Sequence, residues 1–282
     1  MKDMTLSEKA TYSTVLIKCE YFDGSFGSGT GFVFDFCIDS KGEQCVPTII
    51  TNNHIMNNCK KCTFEFCKSD DNNNPIDKEV IPLVCNNPTC IKHSDPNIDL
   101  CCIPIASISE ELQKNNIKIF HIPLDVSIIP SQTQLEELSA MEEIVMIGYP
   151  IGLSDTYNHK PILRRGTTAT HMKNDYQGKK EFLIDMACFP GSSGSPIFII
   201  NQGSYTVGNT VRIASRIYLC GILYGGPQYQ ASGAIAFANL PNSPIPIVNI
   251  PTNLGIAIKS SELLFFEEYF KELTGGTKQC LM

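Results

Sequence analysis

Short apolar runs broken by turns every 8 to 12 residues constrain this chain more than any other feature of its sequence. Val15, Leu16, Ile17 and Tyr21 fall in a first run from Tyr12 to Tyr21, and the glycine-rich stretch Gly24 to Gly31 turns it back. Phe32–Phe36 and the β-branched run Val46–Thr51 follow, separated by the polar loop Asp39–Gln44. Runs this short do not carry the apolar stripe of a helix, which recurs every three or four residues over ten or more. They suit antiparallel strands. Val80–Cys85 and Leu100–Ile105 continue the rhythm beyond the Asn/Asp-rich tip Ser69–Asn74.

The rhythm lapses once. Ser109–Gln113 and Gln134–Leu138 have the composition of short helices, so residues 107–140 are expected to connect two halves. A second β-rich half opens at Glu143–Pro150 and runs through Ile162–Leu163, Phe182–Ile184, Ile197–Ile200, Val211–Tyr224 and Leu254–Ile258, with Asn201–Asn209 as a hairpin tip. The closing segment places Leu263, Leu264, Phe266, Tyr269, Phe270 and Leu273 at helical spacing, which predicts an amphipathic helix over 260–274 capped by Ser260 or Ser261. Its aromatic residues Phe265, Phe266, Tyr269 and Phe270 are expected to pack into the core. The residues themselves thus predict an all-β chain with a C-terminal α-helix: a first half over 1–106, a connector over 107–140 and a second half over 141–282.

The bulk composition excludes some functions. With 43% apolar and 18% charged residues, the 282-residue chain is an ordinary globular protein large enough to bury a sizeable core. A formal charge of −7 is wrong for nonspecific nucleic-acid binding, and no apolar run is long enough to cross a bilayer, so neither nucleic acid nor membrane is expected as a partner. Met1–Thr11 lacks the apolar core of a signal peptide, and Cys280 sits one place too late for a prenylation box; a cytoplasmic location is expected. Thirteen cysteines then argue for reduced thiols. Cys59, Cys62, Cys67, Cys85 and Cys90 are spaced as zinc ligands might be, but Cys62 and Cys67 fall in an expected strand and no histidine joins them. Buried thiols acting as small core hydrophobes are the expected reading, with no metal and no cofactor.

The chemistry lies in three stretches. Phe189-Pro190-Gly191-Ser192-Ser193-Gly194-Ser195-Pro196 frames a serine with glycines, which presents a hydroxyl on a tight turn and lets a substrate approach the backbone. Ser192 and Ser195 compete with Ser193, and the Gly-x-Ser-Gly frame selects Ser193. His54 follows the strand-like run ending at Thr51, a context that His93, His121, His159 and His171 lack. Asp99 heads the apolar run from Leu100, whereas Asp95, before Pro96, suits a turn. A serine hydroxyl needs a base, histidine supplies one near neutral pH, and a carboxylate fixes its tautomer. These three residues are too far apart in the chain for any one helix or hairpin to carry two of them. They meet only through tertiary folding.

The chain resembles the trypsin-like (chymotrypsin-fold) serine peptidases, and within them the bacterial HtrA-like branch without its PDZ domain. Gly27-Ser28-Gly29-Thr30-Gly31-Phe32, Ile50-Thr51-Asn52-Asn53-His54, Asp95-Pro96-Asn97-Ile98-Asp99-Leu100, Ile147-Gly148-Tyr149-Pro150 and Gly191–Pro196 occur in that family's order. The resemblance implies two antiparallel six-stranded β-barrels with the site in the cleft between them. It implies His54 as general base, Asp99 as its orienting acid and Ser193 as nucleophile. The N–H groups of Gly191 and Ser193 would form the oxyanion hole. It also places Ala187, Pro190, Gly225 and Gly226 around the primary specificity pocket. Ala187 is uncharged, which implies a small or medium apolar residue before the scissile bond of a protein or peptide substrate. Ser192 stands where secreted relatives carry the aspartate that pairs with a freed N-terminus, so no activation by N-terminal cleavage is expected. A binding module of the same fold without turnover is the alternative function. The oligomeric state has no mark in the sequence.

Overall fold

A computed structural model describes residues 4–42, 44–232 and 247–277. Helix α1 (Leu6–Ser13) opens the described chain, starting within the polar stretch that lacks a signal peptide's apolar core. Thr5 caps it, with Glu8 closing the reciprocal box, so the Thr-x-x-Glu spacing was its mark. The first half then carries β1 (Thr14–Tyr21), β2 (Phe26–Phe36), β3 (Val46–Thr51), the single turn α2 (Asn53–Met56), β4 (Cys59–Ser69), β5 (Pro75–Asn86), β6 (Ile91–Lys92) and β7 (Cys101–Pro104). Residues 107–140 hold most of α3 (Ala106–Lys114), then β8 (Ile119–Phe120), β9 (Leu124–Asp125) and α4 (Gln132–Glu136).

The first half is a nine-stranded sheet whose path runs β5-β4-β1-β2-β3-β7-β6, with β8 added on β4 and β9 on β2. Its strand count exceeds six by three: the connector contributes β8 and β9, and the two-residue β6 is added at the end of the path. The path ends at β6, which at two residues carries little ladder of its own. The second half contains β10 (Glu143–Gly148), β11 (Ile162–Thr168), β12 (Glu181–Asp185), β13 (Pro196–Asn201), β14 (Tyr205–Val207), β15 (Thr210–Arg212), β16 (Arg216–Gly225), β17 (Gln228–Ser232), β18 (Ile247–Pro251) and β19 (Leu254–Lys259). Six of these close a barrel in the order β10-β11-β12-β19-β16-β13, the count expected for this half. Closure leaves that sheet no free edge.

Helix α5 (Leu264–Thr277) follows a 3₁₀ turn over Ser260–Leu263. Neither serine caps it: Lys259 holds the cap position without a side-chain bond, and Ser260 and Ser261 lie inside the turn. The cap expectation fails because the tighter turn starts the helical segment one step earlier than the apolar spacing indicates. Cys280 lies outside the described residues.

Three cores hold the chain. One fills the first sheet around Ile17, Val33, Ile49, Phe64 and Ile103, and one fills the barrel around Ile144, Met146, Phe182, Ile197 and Ala257. The third is shared: Phe32, Phe34, Phe36 and Ile50 from the first half meet Ile147, Phe198, Leu219, Ile222 and Ile258 from the second. Phe266 and Phe270 of α5 complete it, with ring centroids 6.1 and 5.6 Å from Phe36. The Glu267 carboxylate also accepts the Cys37 N–H at 2.8 Å. The last helix therefore fastens the second half to the first. The twelve described cysteines are free thiols, and Cys19, Cys62, Cys101, Cys102 and Cys220 are buried. Among the described residues, no group of three or more His, Cys, Asp or Glu side chains is placed to hold a metal ion. Among the same residues, no helix is long and apolar enough to cross a membrane.

Candidate active site

The β3–β7 ladder explains why His54 and Asp99 meet. It pairs Thr51 with Cys101, so the residues just after β3 and just before β7 emerge side by side. Asp99 then engages the incoming turn at three points. Its carbonyl accepts from Asn52 Nδ2 at 2.9 Å, its Oδ1 accepts the His54 backbone N–H at 2.9 Å, and its Oδ2 lies 2.5 Å from His54 Nδ1. The imidazole remains half exposed and the carboxylate is mostly covered. Asp95 does otherwise: its carboxylate accepts from Asn97 N and Nδ2 in a local turn, as the proline beside it suggested.

Ser193 lies on the turn that leads into β13. Ser192 and Ser195 are fully buried, which leaves Ser193 as the accessible serine of the three. Gly194 has no alternative: its φ is +83°, and a Cβ there would sit 1.9 Å from the Thr30 carbonyl oxygen. The turn is pinned from the first half by one residue. Thr30 N–H donates to the Ser193 carbonyl at 2.9 Å, and Thr30 Oγ1 donates to the Gly191 carbonyl at 3.1 Å while accepting from Tyr149 N at 3.0 Å. The Ser193 hydroxyl donates to the Tyr224 carbonyl at 3.4 Å, at the end of β16.

Two further peptide groups of the turn have their carbonyls engaged. Pro190 C=O accepts from Ile151 N–H at 2.5 Å, and Ser192 C=O accepts from Ser195 N–H at 3.0 Å. In a planar trans peptide the N–H points opposite to the carbonyl. The N–H groups of Gly191 and Ser193 are therefore turned away from these partners. Neither donates to another group among the described residues.

A cleft of about 520 Å³ adjoins Ser193. Cys188, Phe189 and Pro190 line it together with Tyr224, Gly225 and Gly226, so three of the four expected pocket residues are brought to one place. Ala187 is not on its wall; its carbonyl accepts from Arg164 Nη1 at 2.7 Å. Burial pushes the Cys188 thiol up to about 11, against a smaller downward pull from the Arg164 charge. The Tyr224 hydroxyl donates to Glu181 Oε1 at 2.8 Å; burial first, and that bond second, push its pKa far up, so it stays protonated.

Thr30, Tyr224 and Arg164 had no mark as site residues in the sequence. Thr30 stands inside the glycine-rich motif Gly27–Phe32, between Gly29 and Gly31. Arg164 was the more legible of the others, as a cation on an alternating strand beside the exposed Leu163 and Arg165.

The trypsin-like peptidase domain model matches residues 29–208, well over half the chain. Among solved structures, the HtrA-type protease AlgW with tripeptide aligns over 95% of this chain and 62% of its own, at 14% identity and TM-score 0.49. The Rv3671c protease from M. tuberculosis, in its active form, aligns over 90% of this chain and 79% of its own, at 14% identity and TM-score 0.46. Deg5 aligns over 77% and 80%, at 14% identity and TM-score 0.44. The chain thus spans less than two thirds of the AlgW chain. No curated protein matches it. On the match over residues 29–208, the chain belongs to the trypsin-like peptidase domain family.

Proposed function

We propose that this protein is a serine endopeptidase in which His54, Asp99 and Ser193 act as base, orienting acid and nucleophile. The observation that carries the proposal is the two-point grip of Asp99 on His54, through the backbone N–H and through Nδ1. An ionised carboxylate only accepts, so this grip puts the ring hydrogen on Nδ1 and leaves the Nε2 lone pair to take a proton. Rotation of the Ser193 hydroxyl from the Tyr224 carbonyl to Nε2 starts the reaction. The oxygen attacks the substrate carbonyl as its proton passes to His54. The carbonyl oxygen becomes an oxyanion, and the free N–H groups of Gly191 and Ser193 are its donors. Each such donor is typically worth about 10² to 10³ in rate. His54 returns the proton to the leaving amine, an acyl-enzyme remains on Ser193, and water releases it by the same steps.

The mostly apolar wall beside Ser193 supports a small or medium apolar residue before the scissile bond. Residues 1–106 would supply the base and acid and residues 141–282 the nucleophile, with 107–140 joining them. Buried free thiols support a reducing, cytoplasmic setting. A second reading, a binding module without turnover, draws on the Ser193 hydroxyl bonding to Tyr224 rather than to His54. Labelling with a fluorophosphonate separates the two. Labelling of the native chain that is lost in Ser193→Ala supports the peptidase; a folded native chain that does not label overturns it in favour of the binding module. A peptide-library profile dominated by Arg or Lys before the cut would overturn the apolar preference alone.

A further inference from the structure

Among the described residues, Arg164 is the one cation on the barrel strands without a carboxylate partner. It lies on β11 opposite Met146, between Leu163 and Arg165, both of which face solvent. Arg165 pairs with Glu143 across the surface. Arg164 instead turns inward, and among the described residues no carboxylate pairs with it. Its Nη1 donates to two neutral oxygens, the Ala187 carbonyl at 2.7 Å and the Ser192 hydroxyl at 2.9 Å. Its Nε and Nη2 are buried with no partner at all. A buried charge without a counter-charge is costly, and a sequence that keeps one usually does so at a functional site.

The two oxygens show what that site is. Ala187 and Ser192 bracket the segment that ends in the oxyanion-binding turn, and Ser192 lies between the two free N–H groups. Its side chain is the only one in the turn that is fully buried and held by a charged partner. We propose that Arg164 is a positioning residue for oxyanion binding: its guanidinium braces Ala187 and Ser192 so that the Gly191 and Ser193 N–H groups stay aimed at the reacting carbonyl oxygen. This rests on the peptidase reading above. The missing carboxylate then has a reason. A neutralised arginine would lend the turn little field, whereas an unpaired one lends its full positive charge where negative charge develops in the transition state. The brace acts on the transition state more than on the bound substrate, so its removal lowers kcat and spares KM.

The test uses the full chain, the p-nitrophenyl ester of N-acetylalanine as substrate and a fluorophosphonate as label, with thermal unfolding followed in parallel. Arg164→Gln is expected to lower kcat and the labelling rate by about 100-fold with KM within about twofold. Arg164→Lys keeps the charge and loses the planar fork, so it should recover part of the rate. In Arg164→Ala, added methylguanidinium should restore activity, which a merely structural role would not allow. If Arg164→Gln does not fold, Ser192→Ala removes the accepting hydroxyl with little disturbance, and a kcat loss of about tenfold is expected. A folded Arg164→Gln, or a Ser192→Ala, with native kcat and labelling overturns the inference while leaving the peptidase intact. A loss carried by KM with kcat unchanged also overturns it. Failure of the native chain to label at Ser193 would instead remove the peptidase reading, and this inference with it.

Discussion

The two halves of the molecule place the residues of the proposed triad by different means. In the first half, His54 and Asp99 are brought together by one ladder, β3 against β7, and the bonds between them stay within that sheet. In the second half, Ser193 stands on a turn whose hydrogen bonds reach across the seam to Thr30 and down into the barrel to Arg164. The His54–Asp99 pair is thus a local property of an open sheet, while the setting of Ser193 depends on both halves. The closed barrel nonetheless carries the part of the site that is held by bonds from outside it. The cause is local: tight turns with positive φ at Gly191 and Gly194 have few side chains with which to hold themselves.

This contrast can be broken or sharpened in order of effect. Asp99→Asn should cost about 10⁴ in kcat/KM on an ester substrate while leaving the fold in place, because the amide favours the wrong histidine tautomer. A loss below tenfold would end the claim that the pair is self-sufficient. Phe266→Ala should lower unfolding free energy by about 3–5 kcal/mol in denaturant titration. Because Phe266 belongs to the shared core, amide exchange should quicken around Phe36 as well as around Leu263; protection lost only near α5 would show that the halves are uncoupled. Thr30→Val keeps the shape and strands the Gly191 carbonyl and the Tyr149 N–H, at about 1–3 kcal/mol. Its kcat should fall about tenfold or more, while the His54 ring proton signal in NMR stays where it was.

The smallest effect is one of pH. Burial depresses the His121 pKa in the folded chain, where its ring meets Phe66 edge-on. The unfolded chain takes up that proton near the usual value of about 6.5. Stability from this residue is therefore full above that pH and lost as pH falls through it toward the lower folded value. The melting temperature should drop between pH 7.5 and 5.5, and His121→Phe should shrink the drop. An unchanged drop in the variant would assign the acid sensitivity elsewhere.

Much of this was legible in the sequence because the signals are local. The β-branched run Ile49-Ile50-Thr51 announces a strand, and the glycines around Ser193 announce a turn, so the strand end before His54 and the turn at Ser193 were both readable. The six strands of the barrel were likewise visible as apolar runs, while their closure into a barrel came only from the family resemblance. The nine-stranded first sheet was not, since β8 and β9 are two-residue ladders whose partners are chosen by distant contacts. Arg164 shows a similar limit. Alternation along β11 says that one arginine of the pair faces in, but not that it will meet Ser192. The helix α5 was read from its apolar spacing, and its start was misjudged because a 3₁₀ turn has no spacing of that kind.

The place of α5 in the chain order has a consequence for synthesis. Phe36 leaves the ribosome long before Phe266, which is about 230 residues behind it; at about 5–20 residues per second the interval is roughly 10–50 s. Throughout it, Phe36 lacks the Phe266 and Phe270 rings that pack on it in the finished fold. The strands of both halves can pair before the helix arrives, but the shared core cannot close. The shared core of a newborn copy is therefore completed only when its last described helix has been made.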